Sequence, residues 1–157
     1  MTSARMILCA CALAIIGVAI SCASGKGASK EAPRYREPSS YNFKFVGYDS
    51  GIDDPDRDRR AYYRVFLDKE EAGRTTIGLE SQDKYLEASI EPNRHLLTVE
   101  KWVLDEKMGR YVKLNNIEQP RPNFVYFGVP EKRVVVVTMK NDVRDNRAVF
   151  EVDFEYE

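Results

Sequence analysis

Cysteine and histidine are the scarce residues of this chain of 157 residues, which holds three cysteines, Cys9, Cys11 and Cys22, and one histidine, His95. No cysteine follows Cys22, so the body of the sequence has no disulfide framework and must be held by an apolar core. The same shortage excludes a Cys/His catalytic pair there. A Ser/His/Asp triad would have to use His95 as its base, and nothing nearby resembles a nucleophile elbow. An excess of positive charge is also missing. From Tyr41 onward there are 19 Lys and Arg against 23 Asp and Glu, a net charge of −4, which argues against nucleic acid as a partner. No apolar run reaches the roughly 20 residues of a spanning helix, and no stretch shows a sustained helical stripe.

The apolar run that is present is short. Met6 to Ile20, 15 residues behind the basic Arg5, has the proportions of a signal-peptide apolar region. The residues that follow it into the cysteine, Ala19-Ile20-Ser21-Cys22, resemble the lipobox of bacterial lipoproteins, which usually has Leu where Ala19 stands. Leu8-Cys9-Ala10-Cys11 has a similar spacing but almost no apolar region upstream, so Cys11 is a poor lipid acceptor. Ordinary secretory cleavage after Ala23 and an uncleaved anchor helix are the competing readings. The lipobox resemblance implies that residues 1–21 are a lipoprotein signal peptide and that Cys22 becomes a lipidated N-terminus. Its acyl chains would exceed the two signals normally needed for lasting attachment, on the exported side of a membrane of the bacterial cell envelope. Cys9 and Cys11 would be removed with the signal. Residues 22–40 then read as a flexible tether, with Gly25, Gly27, Ser29, Pro33 and Pro38 among scattered charges of net +2.

Composition shifts at Tyr41, and residues 41–157 are long enough for one domain with its own core. Period-two alternation is the dominant pattern. Ala148, Phe150, Val152, Phe154 and Tyr156 alternate with Val149, Glu151, Asp153, Glu155 and Glu157, which predicts a strand with one face on a core. Val134 to Val137 predict a strand buried on both faces, and Asn141 to Asn146 a turn that joins the two into a hairpin. Further strands are predicted over Phe43–Tyr48, Tyr62–Leu67, Thr75–Leu79, Tyr85–Ile90, His95–Leu104, Arg110–Leu114 and Asn123–Val129. Nine short strands at this spacing predict an all-β fold, an antiparallel β-sandwich, with a barrel as the alternative closure.

Part of this pattern carries a second resemblance. Tyr63-Arg64-Val65-Phe66-Leu67-Asp68, then Gly73-Arg74-Thr75, then Ile90-Glu91-Pro92-Asn93-Arg94-His95-Leu96-Leu97-Thr98-Val99, is similar to the PEGA domain, a small β-sandwich family of bacterial surface proteins. The similarity covers roughly Tyr62 to Leu104, with Val134 to Met139 as a possible closing strand. It lacks the tetrapeptide that names the family, and the segment Asp105 to Glu131 is extra. Pro92-Asn93 stands where Pro-Gly is common, and Asn tolerates the positive φ such turns need. The resemblance implies an immunoglobulin-like sandwich with a non-catalytic envelope role, and it brings no functional residues with it.

Candidate site residues follow from chemistry. His95, at the start of a predicted strand, reads as a half-exposed, hydrogen-bonded residue. The acid pairs Glu70-Glu71 and Asp105-Glu106 fall in predicted turns, where carboxylates solvate the bend. Asp54, Asp56 and Asp58 have the alternate spacing of calcium loops, making them weak metal candidates. They lack the loop glycine and the distal Glu, and Arg57, Arg59 and Arg60 offset their charge, so a self-paired, mobile surface loop is the plainer reading. Trp102, Tyr111, Phe124 and Tyr126 are the candidate binding residues, since Tyr and Trp dominate interface hot spots and aromatic rings stack on sugars. Strand alternation puts Phe124 and Tyr126 on one face and Val125, Phe127 and Val129 on the other; at least one face belongs to the core, and ordinary core packing is the plainer reading of these rings. The expectation is a lipid-anchored, non-catalytic structural or binding module. Its partners are the membrane, through the lipid, and an envelope protein or a cell-wall polymer. A calcium-assisted adhesin or ligand binder is the alternative, a small hydrolase comes third, and no cofactor is expected.

Overall fold

A computed structural model describes residues 41–156; the expected signal segment 1–21, Cys22 and the tether 22–40 lie outside the described residues. The described chain is built from strands. In order they are β1 (Phe43–Ser50), β2 (Arg60–Leu67), β3 (Glu70–Arg74), β4 (Gly78–Leu79), β5 (Lys84–Ala88), β6 (Arg94–Asp105), β7 (Arg110–Lys113), β8 (Phe124–Gly128), β9 (Arg133–Asp142) and β10 (Arg147–Tyr156). They form two sheets that do not close into a barrel. Sheet I has the order β10-β9-β1-β5; sheet II has the order β3-β2-β6-β7, with β4 added to β2 and β8 added to β6.

Three expectations need correction. The sandwich is not wholly antiparallel, because β1 pairs with β9 in parallel, Phe43 opposite Val135 and Asp49 opposite Asn141. The chain leaves sheet I after β1 and comes back to it for β9 in the same direction, as parallel neighbours require a long connection. No strand covers Thr75 to Leu79; the partner of β2 is instead β3, which includes Glu70 and Glu71, and only Gly78 and Leu79 pair beyond it. Asp68 and Lys69 both take left-handed φ, 51° and 77°, so the chain reverses in two residues and the acid pair falls in the strand. Thr75 and Thr76 spend their hydroxyls on backbone N–H groups of Tyr63 and Tyr85, a use of threonine that competes with a regular ladder. Finally, Asn141 is a strand residue rather than part of a turn, and it is buried.

Alternation sorts the side chains as a two-layer fold requires. Phe43 and Phe45 of β1, Tyr63 and Val65 of β2, Leu97 and Val99 of β6, Phe127 of β8, and Val135, Val137 and Met139 of β9 form one core between the sheets. Each fully buried apolar side chain of this size stabilises the fold by about 1.5–3 kcal/mol. Phe43 stacks on Phe127 at 5.3 Å, and Phe45 meets Tyr63 edge-on at 6.1 Å. A smaller cluster of Ala61, Val103 and Leu114 lies further along sheet II. The cover thins at the outer strand: Phe150 and Val152 of β10 are partly buried, while Phe154 is exposed.

Candidate functional site

Between the two apolar clusters the interior changes character. Continuing the inward phase of β1 leads from Phe43 and Phe45 to Asp49, and that of β6 leads from Leu97 and Val99 to Lys101. Both charged residues are buried, and Lys101 Nζ lies 2.6 Å from Asp49 Oδ2. The same ammonium lies 2.6 Å from Glu80 Oε1, and Arg59 grips the Glu80 carboxylate from outside at 3.0 and 3.1 Å. Asp49 Oδ1 accepts from Asn141 Nδ2 at 2.7 Å and from the Tyr63 hydroxyl at 3.3 Å. Below them Lys84 donates to the carbonyls of Leu79, Glu80 and Gln82 at 2.8, 2.9 and 2.6 Å. Two cations, Lys101 and Lys84, therefore sit among two carboxylates and a ring of carbonyls, with Arg59 at the rim.

The environment moves the proton affinities of these groups. Burial disfavours the Glu80 carboxylate, but Arg59 and Lys101 outweigh it and hold the acid below its ordinary value. Burial pulls the Lys84 ammonium down to about 8, helped by the like charge of Lys101 and opposed by Asp49 and Glu80. Burial, reinforced by the Asp49 charge, raises the Tyr63 phenol well above its ordinary value, so it serves as a neutral donor to Asp49.

Above this cluster opens a cleft of about 760 Å³. Its floor includes Glu80, Lys101 and Asn141; its walls come from the segment Gly51 to Arg57, the segment Leu114 to Glu118 and the turn Val143 to Asn146. The acidic loop expected to be a plain surface loop is thus one wall of a cleft. Asp54 caps a short 3-10 turn, Pro55–Arg57, by accepting from the Asp56 N–H at 3.0 Å, and it pairs with Arg57 at 3.7 Å. Asp53 pairs with Arg144 at 2.6 Å, and Asp58 accepts from the Ser81 N–H and hydroxyl at 3.0 and 2.6 Å. These contacts pin the loop to two other segments. The weak metal candidates Asp54 and Asp58 are engaged separately, and among the described residues no group of three His, Cys, Asp or Glu side chains is placed to hold a metal ion.

The aromatic candidates lie elsewhere, and together. Residues at even positions of β6 point away from the core, so Trp102, Thr98 and Leu96 share the outer face of sheet II. Register places Tyr62 beside Trp102, Tyr111 beside Leu104, Phe124 beside Thr98 and Tyr126 beside Leu96. Trp102 stacks on Tyr62 at 6.1 Å, Tyr111 meets Tyr62 edge-on at 5.1 Å, and Phe124 meets Tyr126 at 6.4 Å. Arg64 lies over Trp102 and Phe66, and Arg94 over Tyr126, at 5.3 to 5.6 Å from the ring centres. Phe124 and Tyr126 are about half exposed, at 49% and 57%. Tyr62, Arg64 and Phe66 belong to this surface as well, and the even phase of Arg60 to Leu67 carried that signal.

His95 sits at the entrance to β6, where Nδ1 lies 2.6 Å from Asp68 Oδ2 and Nε2 lies 2.9 Å from the Glu91 carbonyl. Asp68 also accepts from the Leu96 N–H at 2.9 Å, so the pair clips the β2–β3 turn to β6. Burial works against the imidazolium, but the Glu91 carbonyl and Asp68 outweigh it and raise the His95 pKa above 6.5. The Leu96 N–H, then His95, lower that of Asp68. The raised histidine adds stability that is full below its unfolded value and lost as pH rises through the folded one; the lowered Asp68 adds stability lost only in acid. The melting temperature is therefore expected to fall between about pH 6 and pH 8, and His95→Gln to flatten that fall. Equal slopes in the two proteins would remove the clip from the account.

The fold and these surfaces define a two-sheet, all-β domain with a polar cleft at one end and an aromatic face on one side. Comparison with known proteins finds no matching family model, no matching curated protein and no matching solved structure.

Proposed function

We propose that the chain is a lipid-anchored, non-catalytic lipoprotein of the bacterial envelope that binds an envelope protein through the outer face of sheet II. The observation that carries the binding reading is the gathering of Trp102, Tyr111, Phe124 and Tyr126 on one solvent-facing sheet surface with Arg64 and Arg94. Tyr, Trp and Arg are the residue types that concentrate binding energy, and flat rings held by their neighbours lose little freedom when covered. A protein is favoured over a wall polymer because arginines and the ion pair Lys113–Glu100, 2.5 Å, interleave the rings, a mosaic suited to polar rims. Anchorage through Cys22 would keep the surface near its partner and raise the effective concentration there. The sandwich is read as immunoglobulin-like and akin to the PEGA kind; the two-residue turn at Asp68 and Lys69 supports that kinship, whereas Asn93 does not take the positive φ expected of it.

Two measurements test the proposal. A palmitate analogue fed to cells should label the wild-type chain and leave Cys22→Ala unlabelled; equal labelling, or none in either, would defeat the anchor. Crosslinking in the native envelope should recover a protein partner with wild type, and Tyr126→Ala with Phe124→Ala should cut recovery about tenfold or more. Recovery that is undiminished, or that yields only glycan, would defeat the protein-binding face.

A further inference from the structure

The buried ion cluster is an expensive way to fill an interior. The core beside it is apolar, and a buried ion pair is often matched or bettered in stability by packed hydrophobic side chains. Something other than stability accounts for charges at this place, and the cleft above them supplies a reason.

Asn141 is 1% exposed and lines the cleft floor. Its amide orientation is fixed, since the nitrogen must donate to Asp49 Oδ1 at 2.7 Å; reversed, it would set oxygen against a carboxylate. That leaves Asn141 Oδ1 as a buried acceptor with no hydrogen-bond partner among the described residues. Such an atom carries its full desolvation penalty until a donor reaches it. The groups around it already narrow the choice. Lys101 is committed to two carboxylates, and the Asn141 nitrogen to one.

The rim carries both signs. Asp54 and Asp56 stand with Arg57 on the 3-10 turn, while Ile52, Ile117 and Val143 supply an apolar lining. The Arg57–Asp54 pair is long, at 3.7 Å, and largely exposed, so it exchanges partners at little cost. A cleft of about 760 Å³ is of the size that holds small ligands.

We propose that this cleft binds a short peptide with free ends, one of whose N–H groups donates to Asn141 Oδ1 while its ammonium and carboxylate meet the Asp56 and Arg57 rim. The ligand completes the polar floor, and its side chains lie on Ile52, Ile117 and Val143. This site is separate from the aromatic face, and each stands or falls without the other.

The test is calorimetric titration of the full-length chain in detergent with the tripeptide Ala-Leu-Ala, alongside the same tripeptide N-acetylated and C-amidated. Saturable binding is expected for the free tripeptide, and binding about tenfold weaker or worse for the capped one. Asn141→Leu should weaken binding by about tenfold or more. Because that change also removes a partner of Asp49, a surface variant serves beside it: Ile117→Arg, at a side chain 74% exposed, should block the cleft and leave the melting temperature unchanged. No heat at millimolar tripeptide overturns the proposal. So does equal binding of the capped peptide, or full binding by a folded Ile117→Arg.

Discussion

Lys101→Met is expected to destabilise the domain by about 3–5 kcal/mol, the cost of breaking a buried ion pair by removing one partner. Methionine fills much the same volume, so the loss reports charge rather than a cavity. Glu80 keeps Arg59, whereas Asp49 loses the only cation within ion-pair distance among the described residues. An orphaned buried carboxylate bears its desolvation with no adjacent cation to offset it. Adding Asp49→Asn to the variant should restore a large part of the loss. Thermal and urea melts of the three proteins check this, and a Lys101→Met protein as stable as wild type would mean the cluster is not a closed ionic unit.

Gly47→Val is expected to cost about 3 kcal/mol, at the upper end of what overpacking a core usually costs. A Cβ at this position would stand 2.8 Å from Cε2 and 3.0 Å from Cδ2 of Tyr63, and 3.1 Å from Cε1 of Phe45. Neither ring can swing aside, because both are fully buried against the opposite sheet. Displacing Tyr63 also draws its hydroxyl away from Asp49, so a packing change in β1 would weaken the ion cluster. Gly47→Ala should cost less, and Tyr63→Leu should cost less in the Gly47→Ala background than alone, a coupling that a double-mutant cycle measures. Additive effects would contradict the close approach.

Which rings share a face was legible because strand alternation survives in the sequence, with Phe124 and Tyr126 two apart and Trp102 in the polar phase of β6; which face lies outside was not, and core packing was the plainer reading of the pattern. Nor was the cleft legible. Lys101 occupies the apolar phase between Val99 and Val103, and Asp49 continues the phase of Phe43 and Phe45, yet a single charge in an alternating run reads as the end of a strand. Its partner Asn141 lies 92 residues from Asp49 in sequence, and an Asn-Asp pair before Arg144 looks like turn chemistry. The strand between Thr75 and Leu79 failed for a related reason, since its β-branched composition is spent on side-chain bonds to the backbone. Local pattern reports which face a residue takes; it does not report which distant charge will meet it.

Parallel pairing of β1 with β9 has a consequence for the order of assembly. Sheet II draws on β2, β3, β4, β6, β7 and β8, and all of them are made before β9. Sheet I has β1 between β5 and β9, so until β9 arrives β1 keeps one open edge, ready to accept a strand from any chain nearby. Closing that edge joins segments about as far apart as this domain permits, which makes it a slow step in folding. The interval between making β1 and placing β9 is the time at which this protein is most in need of protection from its own neighbours.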